Sequence, residues 1–181
     1  QSLYSYSYSS SGNSGNGGQI TLNAEQISPS NAQKITINTF SVGQTGSEKG
    51  GDVNITTNNL SNTDILTLSS HSESGKVTIE SKTQEPLQIK DSSIITSVQV
   101  EIKICESCNP KRIDVGAQGK SGDVSINSSG DLNLSNVTIE SDTKSNQAAG
   151  DVNIYSRGNI TLDNTDFIST TSSKGNAGQI T

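Results

Sequence analysis

The chain has 181 residues, a formal net charge of −6 and 28% hydrophobic residues, and it contains neither methionine nor tryptophan. The acidic balance and the few aromatic residues argue against nucleic-acid binding, which needs basic patches and stacking side chains. The longest apolar run is two residues, so no segment is long enough for a transmembrane helix, and a composition this polar leaves disorder open.

A glycine-led pattern recurs six times along the chain: glycine, a polar residue, Val or Ile, a polar residue, then Ile or Leu, with the last copy cut short at Thr181. The alternation predicts a half-buried strand, and this ordered placement of scarce apolar residues argues against disorder. Steps of 33, 24, 47, 28 and 28 residues separate the glycines, and a period near 28 that tolerates insertions is typical of a solenoid. The repeats therefore start near Gly18, Gly51, Gly75, Gly122, Gly150 and Gly178.

An alternating segment precedes the first repeat and aligns with the last strand of a repeat. It contains three tyrosines at every second position, Tyr4, Tyr6 and Tyr8. The simple interpretation is a strand with three tyrosines on one face. The alternative is an aromatic binding strip or a contact with a neighbouring chain.

The two regular repeats, residues 122–149 and 150–177, each contain three short alternating segments. In the first repeat the apolar pairs are Val124 and Ile126, Leu132 and Leu134, and Val137 and Ile139. No Asn-Gly or Asp-Gly pair joins two strands there, so hairpins are not favoured. Each strand is instead expected to pair in parallel with its equivalent in the next repeat, about 4.8 Å away. The predicted fold class is all-β, a right-handed parallel β-helix with three short strands per rung.

Other positions are predicted by their offset from the glycine. Val53, Val77, Val124 and Val152 are expected to stack with Ile20 in one interior column. Residues 18–50 lengthen one corner and residues 51–74 shorten it, and an offset of 17 residues places Leu68 with Ile139 and Phe167. Ser128 is expected to lie in a turn and to tolerate a charge.

The 47-residue step contains an extra segment, residues 98–115, in which strict alternation leads into a Cys-x-x-Cys-Asn-Pro turn and then a second alternating run. This pattern predicts a β-hairpin inserted at one corner. Its cysteines, Cys105 and Cys108, are the only two in the chain. One Cys-x-x-Cys pair supplies only half of a zinc site, and a thioredoxin-type redox role needs the motif at the start of a helix, which is absent here. A small disulfide in the hairpin turn is therefore the simplest interpretation.

The residues that follow the repeat glycines form a column of polar side chains. Asp123 and Asp151 would lie one repeat apart in it, a weak candidate for calcium binding. A ladder that caps the turns explains the column better, since Gln and Lys occupy other positions. No metal site is therefore expected. Catalytic residues are not indicated either, because Arg112 and Arg157 are the only arginines, His71 is the only histidine and the carboxylates are spread along the turns.

Two segments share one motif: residues 175–181 read Gly-Asn-Ala-Gly-Gln-Ile-Thr, and residues 15–22 read Gly-Asn-Gly-Gly-Gln-Ile-Thr-Leu. A strand-like stretch, Phe-Ile-Ser-Thr-Thr at 167–171, precedes the segment 175–181. These motifs resemble the repeat of filamentous-haemagglutinin-like exoproteins of bacterial two-partner secretion, in the style of the large cyanobacterial members. The resemblance covers the chain except residues 98–115. It implies export from a Gram-negative cell, of cyanobacterial kind, through a partner outer-membrane transporter.

Members of that family act as adhesins, as matrix or sheath components, or as stalks that carry a toxin. We therefore expect residues 1–181 to be one β-helix segment of a longer chain: a secreted or cell-surface fibre, without enzymatic activity or cofactor, that serves adhesion or extracellular structure. The expected partners are a host or neighbouring-cell surface, a polysaccharide, or other copies of the chain stacked head to tail. The alternative is a carbohydrate-active or carbohydrate-binding β-helix, which a cluster of carboxylates on one face would favour.

Overall fold

The computed structural model describes residues 1–9, 12, 15–31, 33–43, 48–98, 101–102, 113–114, 119–171 and 174–181. These residues form β-strands joined by turns, and none of them is in a helix. The strands are β1 (Ser2–Tyr8), β2 (Ile20–Asn23), β3 (Gln26–Ile27), β4 (Ile35–Val42), β5 (Val53–Thr56), β6 (Asn59–Ser61), β7 (Thr63–Ser69), β8 (Val77–Glu80), β9 (Leu87–Val98), β10 (Glu101–Ile102), β11 (Ile113–Asp114), β12 (Val124–Ser128), β13 (Leu132–Thr143), β14 (Val152–Ser156) and β15 (Ile160–Thr171).

Two parallel sheets contain all but two of these strands. The small sheet has the order β14-β12-β8-β5-β2, and the large sheet has the order β1-β4-β7-β9-β13-β15, with β3 and β6 paired beside them. The chain passes back and forth between the sheets, so that one small-sheet strand and one large-sheet segment recur in each repeat. The all-β prediction with parallel pairing between repeats is thus confirmed.

The predicted interior column is present in the small sheet. Val53 pairs with Ile20 on one side and with Val77 on the other, and Val124 lies between Val77 and Val152. All four valines are buried, and Ile20 is partly buried against the same core. Alternation therefore places the scarce apolar residues in the interior. Burial of their apolar surface stabilises the fold by about 25 cal/mol for each Å² removed from water.

The three predicted segments of residues 122–149 are all in strands, but the second and third are continuous. They form β13, which bends at Asn136. Asn62, Asp91 and Asn164 lie at the equivalent bend in other repeats, and all four residues have positive φ angles between 46° and 53°. Asn and Asp tolerate this left-handed conformation better than other residues with a Cβ. Their side chains also join neighbouring repeats, since the Asn136 amide donates to Asp91 Oδ1 and the Asn164 amide to Asn136 Oδ1, each at 2.9 Å.

The repeat glycines form a second column, at the corner before each small-sheet strand. A Cβ on Gly75, Gly122 or Gly150 would overlap the carbonyl oxygen of the glycine one repeat earlier. Buried hydroxyl groups bind these carbonyls: Thr67 donates to Gly75 O and Thr96 to Gly122 O, both at 2.6 Å. Glycine is thus required by close approach of the backbone, and the hydroxyls satisfy carbonyls that are out of reach of water.

Two sequence-based expectations were wrong. Ile65, rather than Leu68, shares the column of Ile139, through the pairs Ile65–Ile94 and Ile94–Ile139. The turn after β5 is three residues shorter than the turn after β12, which shifts the offset of every later residue in that repeat. Ser128 is not a solvated turn residue: it ends β12, is 2% exposed, and its hydroxyl donates to Asp131 O at 2.8 Å.

The described residues of the inserted segment depart from the parallel pattern. Glu101 pairs with Asp114 and Ile102 with Ile113 in the antiparallel pair β10-β11. Cys105 and Cys108, with the rest of residues 103–112, lie outside the described residues. The disulfide therefore stays a prediction.

Candidate functional site

The aromatic strand at the start of the chain forms an outward-facing strip on the large sheet. In β1, Tyr4 pairs with Asn38 and Tyr6 with Phe40 of β4. Tyr4 is 57% exposed and Tyr6 68%, because alternation points both side chains outward and because β1 is the edge strand of the large sheet, where Leu3 on the other face is also 41% exposed. Tyr8 continues the strand opposite Val42, but its side chain lies outside the described residues. Tyr4, Tyr6 and Phe40 are called the aromatic strip below.

A second hydrophobic cluster lies next to the strip, separate from the interior core. Val42 and Leu68 are buried in it, and Phe40 and Leu66 are partly buried against them. The cluster exists because β7 carries apolar residues at successive positions, Ile65 toward the core and Leu66 outward. Sequence reasoning missed it. The signal was two apolar residues out of phase with core-facing Ile65: Leu66 follows it directly, and Leu68 lies on the same outward face. The partner of Leu68 in β4 is Phe40.

The surroundings of the aromatic strip are uncharged or paired. Neither β1 nor β4 contains a charged residue. The one charged residue of β7, Asp64, accepts a hydrogen bond from Lys34 Nζ at 2.7 Å. Exposed pairs of this kind contribute little stability, but they cancel the local charge. The strip is thus electrically neutral in a chain whose net charge is −6.

Two carboxylates share the outward face of the large sheet farther along. Glu140 and Asp142 lie two residues apart in β13, opposite Ile95 and Ser97 of β9. Burial raises the pKa of Glu140, and the neighbouring charge of Asp142 raises it further, against a smaller opposing effect of Lys144. Burial also raises the pKa of Asp142. Two acids of raised pKa on one face are a feature that the even spread of carboxylates in the sequence did not indicate.

The candidate calcium residues cap the backbone of the next repeat. Asp123 Oδ1 accepts from the Asp151 N–H at 3.0 Å, and Asp151 Oδ1 accepts from the Gln179 N–H at 2.7 Å. The other oxygen of Asp123 is 3.0 Å from Lys76 Nζ. Partial burial would raise the pKa of Asp123, but the hydrogen bonds from Lys76 and Asp151 outweigh it and lower the pKa. This geometry is the turn-capping ladder that the sequence favoured over calcium.

Charges alternate in two neighbouring columns of this corner over the repeats that start at Gly51, Gly75 and Gly122. Glu73 lies between Lys49 Nζ, at 2.9 Å, and Lys120 Nζ, at 3.1 Å. Burial would raise the pKa of Glu73, but the two lysines outweigh it and lower the pKa. In the column beside it, Lys76 lies between Asp52 and Asp123, and its pKa is raised, chiefly by its hydrogen bond to Asp123. At each of these three levels the two columns have opposite signs, so every charged side chain in them faces a neighbour of opposite sign.

The remaining candidate residues do not form a common site. The Nδ1 of His71 is 3.2 Å from the Ser70 hydroxyl, and Arg157 is exposed at the turn after β14. Arg112 lies outside the described residues. Within the described ranges, no group of three or more His, Cys, Asp or Glu residues is placed to hold a metal ion. No helix in those ranges could span a membrane.

No protein-family model, no curated protein and no solved structure matches this chain.

Proposed function

We propose that the chain is a segment of a right-handed parallel β-helix and forms part of a secreted or cell-surface fibre that serves adhesion or extracellular structure. The observation that carries the proposal is the constant register of the parallel strands. Val124 of β12 pairs with Val77 and Val152, and Ile139 of β13 with Ile94 and Phe167, so each repeat adds one level to both sheets.

This construction supports a structural role for a physical reason. Each repeat binds mainly its two neighbours, so length grows with repeat number and stability is the sum of local terms. Polar groups at the described corners bind the neighbouring repeat, through the Asn bend, the glycine carbonyls and the aspartate ladder. Such a stack presents long outward faces on which contacts with a surface can recur.

The location of the fibre is part of the same proposal. The motifs at residues 15–22 and 175–181 support export from a Gram-negative, cyanobacterial cell through a partner outer-membrane transporter. The partners we propose are a host or neighbouring-cell surface, a polysaccharide, or further copies stacked head to tail into a filament. No enzymatic activity or cofactor is required for this role.

Immunogold electron microscopy of intact producing cells tests the proposal. An antibody against residues 1–181 should label the cell surface or extracellular filaments, and inactivation of the partner transporter should remove that label. Beads coated with the purified chain should also bind to cells or extracellular matrix more than beads coated with a soluble control protein. Label confined to the cell interior of the normal strain would refute the proposed location, and equal binding by both kinds of bead would refute adhesion.

One observation favours a carbohydrate-active enzyme as the second candidate. Glu140 and Asp142 are two carboxyl groups on one face, and both have raised pKa values. Glycoside hydrolases use a pair of carboxyl groups, of which the general acid has a raised pKa. The test is release of reducing ends from a panel of neutral and acidic polysaccharides. Activity that Glu140→Gln and Asp142→Asn abolish would establish this candidate, whereas identical baseline release by the wild type and both variants would remove it.

A further inference from the structure

We propose that the aromatic strip, Tyr4, Tyr6 and Phe40, is the binding site for an uncharged glycan chain. The inference rests on the proposed adhesive function and names the ligand class of one surface. It depends on where the aromatic residues lie, on their spacing and on the local charge.

The aromatic residues of this chain are few and concentrated. Of four tyrosines and two phenylalanines, three with described side chains lie together on the outward face of β1 and β4. Phe167 packs against the interior core, and Tyr155 stands alone on the small sheet. Tyr4 and Tyr6 are more than half exposed on the edge strand β1, and beside Phe40 they form contiguous outward aromatic surface of the kind found at contact sites.

The spacing suits a chain of sugar rings. Tyr4 and Tyr6 are two residues apart on one extended strand, so their Cα atoms are about 6.6 Å apart and their rings lie on one side of the sheet. A pyranose ring presents an apolar C–H face that an aromatic ring can cover, while its hydroxyls remain free for hydrogen bonds. The tyrosine hydroxyls and the amide of Asn38, beside Tyr4, are donors and acceptors at the edge of that platform.

The charge of the site selects an uncharged ligand. β1 and β4 contain no charged residue, and Asp64 is paired with Lys34. A polycation would find no unpaired carboxylate on these two strands, and a polyanion would be repelled by a chain of net charge −6. A folded protein partner is less suited, because a stable protein interface needs about 800 Å² on each side, far more than a strip two strands wide.

Titration of tyrosine fluorescence with defined hexasaccharides tests the proposal, since the chain has no tryptophan to mask the signal. The probes are cellohexaose, laminarihexaose and maltohexaose, with hexagalacturonate as the acidic comparison. At least one neutral hexasaccharide should bind with millimolar affinity or better. Tyr4→Ala and Tyr6→Ala should each raise its Kd about fivefold, the effect of losing about 1 kcal/mol of aromatic contact.

Tyr155→Ala is the matched control, because Tyr155 is as exposed as Tyr4, at 57%, but lies on the other sheet. It should leave the Kd unchanged, and all three variants should unfold at the urea midpoint of the wild type. The proposal is overturned if the wild type binds no neutral hexasaccharide, if hexagalacturonate binds more tightly, or if Tyr155→Ala weakens binding as much as Tyr6→Ala. It is also overturned if the strip variants abolish self-association in sedimentation velocity and leave glycan affinity intact. Adhesion of wild-type beads without any glycan binding would remove this site and leave the proposed adhesive function standing.

Discussion

Substitution of Gly122 by alanine tests the corner at which the repeats approach most closely. A Cβ there would overlap the Gly75 carbonyl oxygen and lie 2.6 Å from that of Ser74, and both obstacles are backbone that cannot rotate away. Forced overpacking costs about 1–3 kcal/mol. Displacing Gly122 also strains the bond from its N–H to Ser74 Oγ, 2.7 Å, and that from Thr96 Oγ1 to its carbonyl, each contributing about 1 kcal/mol. We expect a total loss of about 3–5 kcal/mol.

Urea unfolding followed by circular dichroism measures that loss, which corresponds to a fall of about 10 °C in Tm for a chain of this size. Gly15→Ala is the control. A Cβ at Gly15 would lie 3.2 Å from the Ser7 hydroxyl, the end of a partly exposed side chain that can rotate slightly and still accept the Gly15 N–H. The control should unfold within about 0.5 kcal/mol of the wild type. A Gly122→Ala variant as stable as Gly15→Ala would show that the repeats are not stacked as closely as described.

Ile126→Asp should lower the free energy of unfolding by several kcal/mol, because it buries an unpaired charge. Ser129→Asp, at an exposed position in the next turn, should have little effect. Similar urea midpoints for the two variants would contradict the register. Glu73→Gln should destabilise the chain at pH 7. Because the pKa of Glu73 in the folded chain is below its ordinary value of 4.5, its ionised carboxylate stabilises the fold at pH values above 4.5, and this stability is lost as the pH falls through the folded-state pKa. The difference from the wild type should shrink at acidic pH, and a difference that does not change with pH would refute the role of the lysines. Glu140→Gln should act in the opposite sense and raise Tm at pH 7. The pKa of Glu140 in the folded chain is above its ordinary value of 4.5, so ionisation of this carboxyl destabilises the fold as the pH rises above 4.5. Equal melting temperatures at pH 7 would show that burial does not strain this carboxyl. Reduction of Cys105 and Cys108 should leave the Tm of the chain almost unchanged, since a bridge between them closes a very short loop; a large fall in Tm would show that they stabilise more than the hairpin.

The interior of the fold was predictable from local signals. Val124 and Ile126 alternate with polar residues, and Gly122 precedes them at a fixed offset, so strand, face and corner follow from short stretches of sequence. The pairing partner followed from the repeat. These signals are local because each repeat packs on its neighbours and not on distant parts of the chain.

Features that depend on turn length or on neighbours across the sheet were not predictable. The three residues missing from the turn after β5 moved Ile65 into the place expected for Leu68, and no residue type marks where a turn is shortened. Ser128 is polar, yet its hydroxyl is satisfied by Asp131 O and so can be buried. The cluster of Phe40, Leu66 and Leu68 forms only once β4 and β7 are aligned, so the sequence alone did not reveal the surface that adjoins the aromatic strip.

The inserted segment has a practical consequence for the use of this chain. Residues 99–118 separate Val98, at the end of β9, from Gly119 in the sequence, yet β9 pairs with β13 and β8 with β12 in unbroken register. Gly119 lies so close to the preceding repeat that a Cβ there would overlap Ser72 O. Val98 lies 24 residues before Gly122, whereas its partner Thr143 lies 7 residues before Gly150, so this corner accepts 17 additional residues without a change in the strands on either side. A foreign epitope or enzyme grafted between Val98 and Gly119 should therefore be displayed without disturbing the scaffold, at a position fixed along the axis of the stack.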